Sequence, residues 1–87
     1  MGWKVVEVQA TPNPNARKLV LDRAISPQPL SFFTAEAAEA HPLATELFKT
    51  PGVTNLLLLG DFITVSKRPE AQWKAIVAKV REILKNS

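Results

Sequence analysis

Near the amino terminus, "WKVVEVQ" at 3–9 largely alternates apolar with polar residues and is rich in β-branched ones, and "RKLVL" at 17–21 forms a second short extended run. Both predict short strands. The clearest alternation comes at 53–67, "VTNLLLLGDFITVSK", where Gly60 and Asp61 supply a two-residue turn and predict a hairpin. Pairing across that turn opposes Leu59 to Phe62, Leu58 to Ile63, Leu57 to Thr64 and Leu56 to Val65. Leu56, Leu58, Ile63 and Val65 then share one face, and Leu57, Leu59, Phe62 and Thr64 share the other.

At the carboxy end the period changes. In "PEAQWKAIVAKVREILKNS", with Pro69 near its start, Trp73, Ile76, Val77, Val80, Ile83 and Leu84 recur at helical spacing and predict a helix with one apolar stripe. A shorter helix is expected at "PLATELF", with Pro42 in its first position and Leu43, Leu47 and Phe48 on one face, and "TPGV" at 50–53 ends it. His41 precedes that helix as a capping or solvent-facing residue. Upstream, Thr34 opens a capped turn through "AEAAEA", whose acidic residues sit where a helix dipole favours them. "AISPQPLSFF" at 24–33 reads as a proline-punctuated connection into a short extended piece at 31–33. The order strand, strand, helix, strand, strand, helix predicts an α+β fold: a two-layer sandwich with an antiparallel or mixed sheet of about four strands and helices mainly on one face.

Between the first two strands lies "ATPNPNARK" at 10–18. Pro12 and Pro14 push Thr11 and Asn13 toward extended geometry and remove two backbone donors, so a strand ladder cannot run through them. The stretch is a loop, and Asn13 and Asn15 are natural turn formers. Two readings stay open. In one, the loop is a rigid connector whose prolines restrict the unfolded chain. In the other, the NH groups of residues 13, 15 and 16 and the amides of Asn13 and Asn15 grip a partner backbone or an anion, with charge from Arg17, Lys18, Lys67 and Arg68.

Composition bounds what such a surface can do. The 87 residues form one domain, 1–87, at 46% apolar and 22% charged, a globular balance well away from disorder. There is no cysteine, which excludes disulfides, thiol nucleophiles, thiolate zinc sites and any cluster held by four thiolates of this chain. One histidine leaves no second imidazole for a non-haem iron site, and Glu36, Glu39 and Glu46 read as solvated helix surface. No paired-carboxylate, Ser-His-Asp, P-loop or dinucleotide pattern is present, so a non-catalytic protein without a resident cofactor is expected. The net charge of +3 attracts polyanions only mildly. Without a signal-like or membrane-length apolar run, the expected location is the cytoplasm, with no membrane partner.

"TPNPNARK" at 11–18, "HPLATELFKTPGV" at 41–53, "GDFITVSK" at 60–67 and Trp73 resemble, in order and spacing, the N-terminal domain of the Nfu/NifU-type iron-sulfur scaffold proteins. The likeness covers nearly the whole chain. It implies an accessory role in cluster assembly or delivery, with a cysteine-bearing iron-sulfur scaffold or recipient protein as partner. Iron binding is implied only at the level of the family, because longer members carry their Cys-x-x-Cys motif on a separate C-terminal domain. Two positions depart from the family pattern: Arg17 stands where an apolar residue is usual, and His41 where Ser commonly precedes "PLA".

The hairpin supplies a site reading independent of that resemblance. If Leu56, Leu58, Ile63 and Val65 face the helices, Leu57, Leu59 and Phe62 project from the opposite face, which is usually polar, and form a candidate docking surface. Trp3 or the "SFF" segment covering that face, or a bulge that swaps the two faces, is the competing expectation. Three functions therefore stand: an interaction module acting through the loop and the open sheet face; an anion or phosphopeptide binder centred on Asn13, Asn15, Arg17 and Lys18; and a single-stranded nucleic-acid binder. The last lacks an RNP-like aromatic-glycine string.

Overall fold

The computed structural model describes residues 2–87. Five strands, β1 (Val5–Ala10), β2 (Ala16–Leu21), β3 (Ser26–Phe32), β4 (Val53–Gly60) and β5 (Phe62–Lys67), form one sheet in the order β1-β2-β5-β4-β3. All neighbours are antiparallel. A 3-10 turn (Glu36–Ala38), helix α1 (Pro42–Phe48) and helix α2 (Trp73–Lys85) complete the chain. The α+β sandwich follows from the periodicity, but the sheet has five strands where the sequence predicts about four, and it is wholly antiparallel.

The extra strand is β3, whose Pro27 and Pro29 argue against a ladder. It lies at the sheet edge, where a missing NH costs nothing on the solvent side. Its register with β4 also shifts between Ser26 and Leu30, so the prolines sit in an irregular stretch with exposed Pro27, Gln28 and Pro29. To reach this edge from β2, the chain crosses the tip of the β4–β5 hairpin. Leu21 NH donates to the Asp61 carbonyl at 2.7 Å and Ile25 NH to the Gly60 carbonyl at 2.7 Å.

The hairpin keeps the pairing that the turn dictates, from Leu59 opposite Phe62 to Asn55 opposite Ser66, and shifts only beyond, at Val53. Gly60 has φ +56° and among the described residues no non-glycine residue has positive φ, as a turn with glycine in its first central position requires. Leu56, Leu58, Ile63 and Val65 are therefore buried on the helix side, with Leu19, Leu21 and Val5 beside them. Helix α2 lays Ile76, Val80 and Leu84, one residue per turn, onto this layer. It begins at Trp73 instead of near Pro69, because Gln72 is still extended (φ −103°, ψ 126°) and Arg68–Ala71 form a turn closed by the Ala71 NH on the Arg68 carbonyl at 3.0 Å. Helix α1 adds Ala44 and Leu47 to the core. Its N-cap is His41, whose Nδ1 accepts from the Ala44 NH at 3.1 Å, and Thr34 Oγ caps the preceding 3-10 turn through the Ala37 NH at 3.0 Å.

Two substitutions probe this frame. Gly52 has φ +92°, and a Cβ there would stand 2.6 Å from the Ala71 Cβ. Gly52→Ala should lower the unfolding free energy by about 1–3 kcal/mol, more than Gly60→Ala, where only the backbone penalty applies. Urea unfolding midpoints measure the difference. His41→Ala should cost about 1 kcal/mol through loss of the cap, whereas His41→Ser, which keeps an acceptor, should recover most of it in the same experiment.

Candidate functional site

The sheet divides the eight residues that the sequence singles out. Opposed positions point to the same side, so Arg17, which faces the buried Val65, lies on the helix side, while Lys18, opposite Thr64, lies on the open side. Asn13 and Asn15 sit in the loop at one end of the sheet, and Lys67 ends β5 beside them. They do not converge on one site.

The loop and Lys67 form a closed junction. Asn13 NH donates to Thr11 Oγ at 3.1 Å, Asn15 NH to Asn13 Oδ1 at 2.9 Å and Ala16 NH to the Asn13 carbonyl at 3.0 Å. All three backbone donors available for gripping a ligand are thus engaged inside the loop. Thr11 Oγ returns a bond to the Ala16 carbonyl at 2.9 Å, closing the base of the loop. Lys67 is buried, at 9% exposure, and its ammonium donates to Asn15 Oδ1 at 3.2 Å and to the Arg68 and Pro69 carbonyls at 3.3 Å each. Three donors meet three acceptors, which is what makes a buried ammonium tolerable. The Lys67 NH holds the Asn15 carbonyl at 2.8 Å, and the Trp73 indole NH reaches the Pro14 carbonyl at 3.2 Å. Arg17 lies 5.3 Å from the Trp73 ring centroid, in cation-π range. The Arg17 guanidinium thereby covers an indole on the helix side.

The open face is a different environment. Reading across the strands, Glu7, Val20, Phe62 and Leu59 form one row and Gln9, Lys18, Thr64, Leu57 and Ser31 the next. Ala16, Ser66 and Asn55 form a third row, toward the loop. Val20, Leu57, Leu59 and Phe62 are half-buried and stand apart from the hydrophobic core cluster. They cover each other laterally, and both helices pack on the other side. Lys18 Nζ lies 4.2 Å from the Phe62 ring centroid, a cation at the rim of an apolar patch. The strand rise places Phe62 about 17 Å from the loop end of β5, and the row of Ala16, Ser66 and Asn55 lies between Leu57 and that end. Val20 belongs to the patch although the sequence reading did not select it. The signal was present: with Leu19 and Leu21 inward, alternation sends Val20 outward.

Of the segments expected to cover that face, Ser31 borders it beside Leu57 without a large side chain to cover it. Trp3 and Phe32 pack against the core cluster on the helix side, Phe32 with its ring 5.6 Å from His41, and Phe33 is 70% exposed. Among the described residues no group of three or more His, Cys, Asp or Glu side chains is arranged to hold a metal ion. No helix among them is long and apolar enough to cross a membrane.

The junction makes a measurable claim. Lys67→Met keeps most of the apolar stem but removes the ammonium's three bonds and strands the acceptors, and should cost about 1–3 kcal/mol in chemical denaturation. In the same variant, amide exchange at Asn15 and Ala16 should accelerate, because the loop loses its anchor to β5.

Comparisons with known proteins agree with this architecture. The solved structure of protein SAV1430 from Staphylococcus aureus superposes with a TM-score of 0.76 at 23% identity, covering 92% of this chain and 96% of that one. A NifU-like protein from Saccharomyces cerevisiae gives 0.78 at 23% identity over 92% of this chain and 74% of that one. At such identities these likenesses establish the fold. By sequence, the human mitochondrial NFU1 iron-sulfur cluster scaffold homolog is 38% identical over 69 residues, 78% of this chain and 27% of that protein. The chain spans between 21% and 27% of the length of the first curated relatives that it matches. The model of the family described as scaffold protein Nfu/NifU N terminal matches residues 6–87, and the chain belongs to that family.

Proposed function

We propose that this domain is a non-catalytic interaction module of iron-sulfur cluster assembly and delivery, and that Val20, Leu57, Leu59 and Phe62 dock a cysteine-bearing scaffold or recipient protein. The observation that carries this reading is an apolar patch left uncovered on the open sheet face of a domain from an iron-sulfur scaffold family. The cluster is cargo held by the partner, since this chain has no thiolate to offer. Lys18 at the rim supplies orientation: a rim charge governs approach and register more than affinity. The Pro/Asn loop enters as a rigid end to the sheet, because its backbone donors are already engaged. The cytoplasm is the proposed compartment.

The anion or phosphopeptide reading is less well supported. Its four residues do not meet: Arg17 and Lys18 lie on opposite sides of the sheet, and the loop NH groups are bonded internally.

Immobilised protein should retain cluster-loaded iron-sulfur proteins from an anaerobic extract, recognised by their bound iron and sulfide and by peptide mass. The double variant Leu57→Asp/Phe62→Asp should remain folded by circular dichroism and lose roughly tenfold or more of that retention. Equal retention by the folded variant defeats the sheet-face assignment, and recovery of RNA or phosphoproteins in place of cluster carriers defeats the iron-sulfur role.

A further inference from the structure

A second exposed surface lies on the helix side of the sheet, away from the apolar patch. Helix α2 runs antiparallel to β1: near its start Trp73 reaches the loop at Pro14, and near its end Arg81 Nη1 donates to the Val5 carbonyl at 3.1 Å. Between strand and helix lie two open grooves, of about 430 Å³ and about 340 Å³, which share Arg81. Val5, Val8, Val77 and Ala78 supply apolar lining. The charged lining is uniformly positive, with Arg17, Lys74 and Arg81 along the first groove and Lys4, Arg81 and Lys85 along the second. Lys74, Arg81 and Lys85 recur at helical spacing and make one stripe along α2. Among the described residues none of these five cations has an acidic partner within ion-pair distance. A row of like charges without counter-charge raises a local potential that an anionic partner relieves.

The same groove has a strand edge. β1 is an edge strand, paired only with β2. The Leu21 NH and Asn15 carbonyl bond toward β5, so the backbone groups of Ala16, Lys18 and Val20 point toward β1. Gln9, opposite Lys18, answers them, and the NH and carbonyl groups of Val8 and Ala10 are directed outward along the free edge.

We propose that the β1–α2 groove receives an acidic, extended segment of a partner polypeptide. The segment adds as a strand to the free edge of β1, with carboxylates over Arg17, Lys74 and Lys85 and alternate apolar side chains on Val8 and Val77. A peptide fits better than a nucleic acid. The Trp73 ring already has Arg17 and Lys67 over it at 5.3 and 5.6 Å, the Trp3 ring has Arg23 at 5.0 Å, and both indole NH groups are bonded to carbonyls. This site is independent of the sheet-face docking proposed above, since it lies across the sheet from Phe62.

The test titrates the full chain into a short fluorescein-labelled peptide in which glutamate alternates with valine and threonine, read by anisotropy. The lysine-for-glutamate peptide and an oligothymidylate of matched charge are run alongside. Binding of the glutamate peptide is expected, with amide shifts at Val8, Ala10 and Val77 and a loss of roughly tenfold in the variant Lys74→Glu/Lys85→Glu, whose fold is checked by circular dichroism. N-methylation of alternate peptide amides should abolish binding, which a merely electrostatic contact would not show. Absence of binding, an unchanged affinity in the charge-reversed variant, insensitivity to N-methylation, or equal or tighter binding of the oligothymidylate overturns the proposal.

Discussion

The pairing of Leu56–Leu59 with Phe62–Val65 is the constraint on which the other surfaces depend. Side chains alternate strictly along a strand, so a slip of one residue would carry Leu58 and Ile63 to the open face and bring Leu59 and Phe62 under the helices. Gly60 holds the register by adopting a positive φ that few other residues accept, and the crossing chain seals the turn with bonds to the Gly60 and Asp61 carbonyls. The bulge at Val53 lies beyond the last apolar pair, where it alters the exit of the chain without inverting either face. From this one register follow both the core beneath α2 and the apolar patch opposite it.

At the other end of the sheet a single ammonium performs a comparable role. Lys67 joins the Pro/Asn loop to the end of β5 and the turn before α2 through one distant acceptor, Asn15, and two that follow it directly, the Arg68 and Pro69 carbonyls. The prolines limit how far the loop can move, and Lys67 and Trp73 determine where it rests. The Trp73 indole ties this junction to the first residue of α2.

The molecule thus presents two surfaces of opposite character on the two sides of one sheet. One is small and apolar with a lysine at its rim, suited to burial against another protein. The other is a basic channel bounded by an open strand edge, suited to a charged extended segment. Neither needs chemistry from this chain, in keeping with a domain of a scaffold family that has no thiol of its own.

Much of this was legible in the residues because it rests on local rules. The period of two around Gly60–Asp61, the helical stripe from Trp73 to Leu84 and the proline stop signals are properties of neighbouring residues, and they determined the hairpin, α2 and the loop. β3 was not legible, since Pro27 and Pro29 contradict a strand locally and are admitted only because that strand lies at an edge. The capture of Lys67 by the loop and of the Pro14 carbonyl by Trp73 was likewise beyond reach, whereas the separation of Arg17 from Lys18 follows from strand alternation and the loop donors bond to residues two or three positions away. Both captures depend on contacts between residues far apart in the chain, Lys67 with Asn15 and Trp73 with Pro14, and pattern along a sequence carries no record of which distant partner will be near.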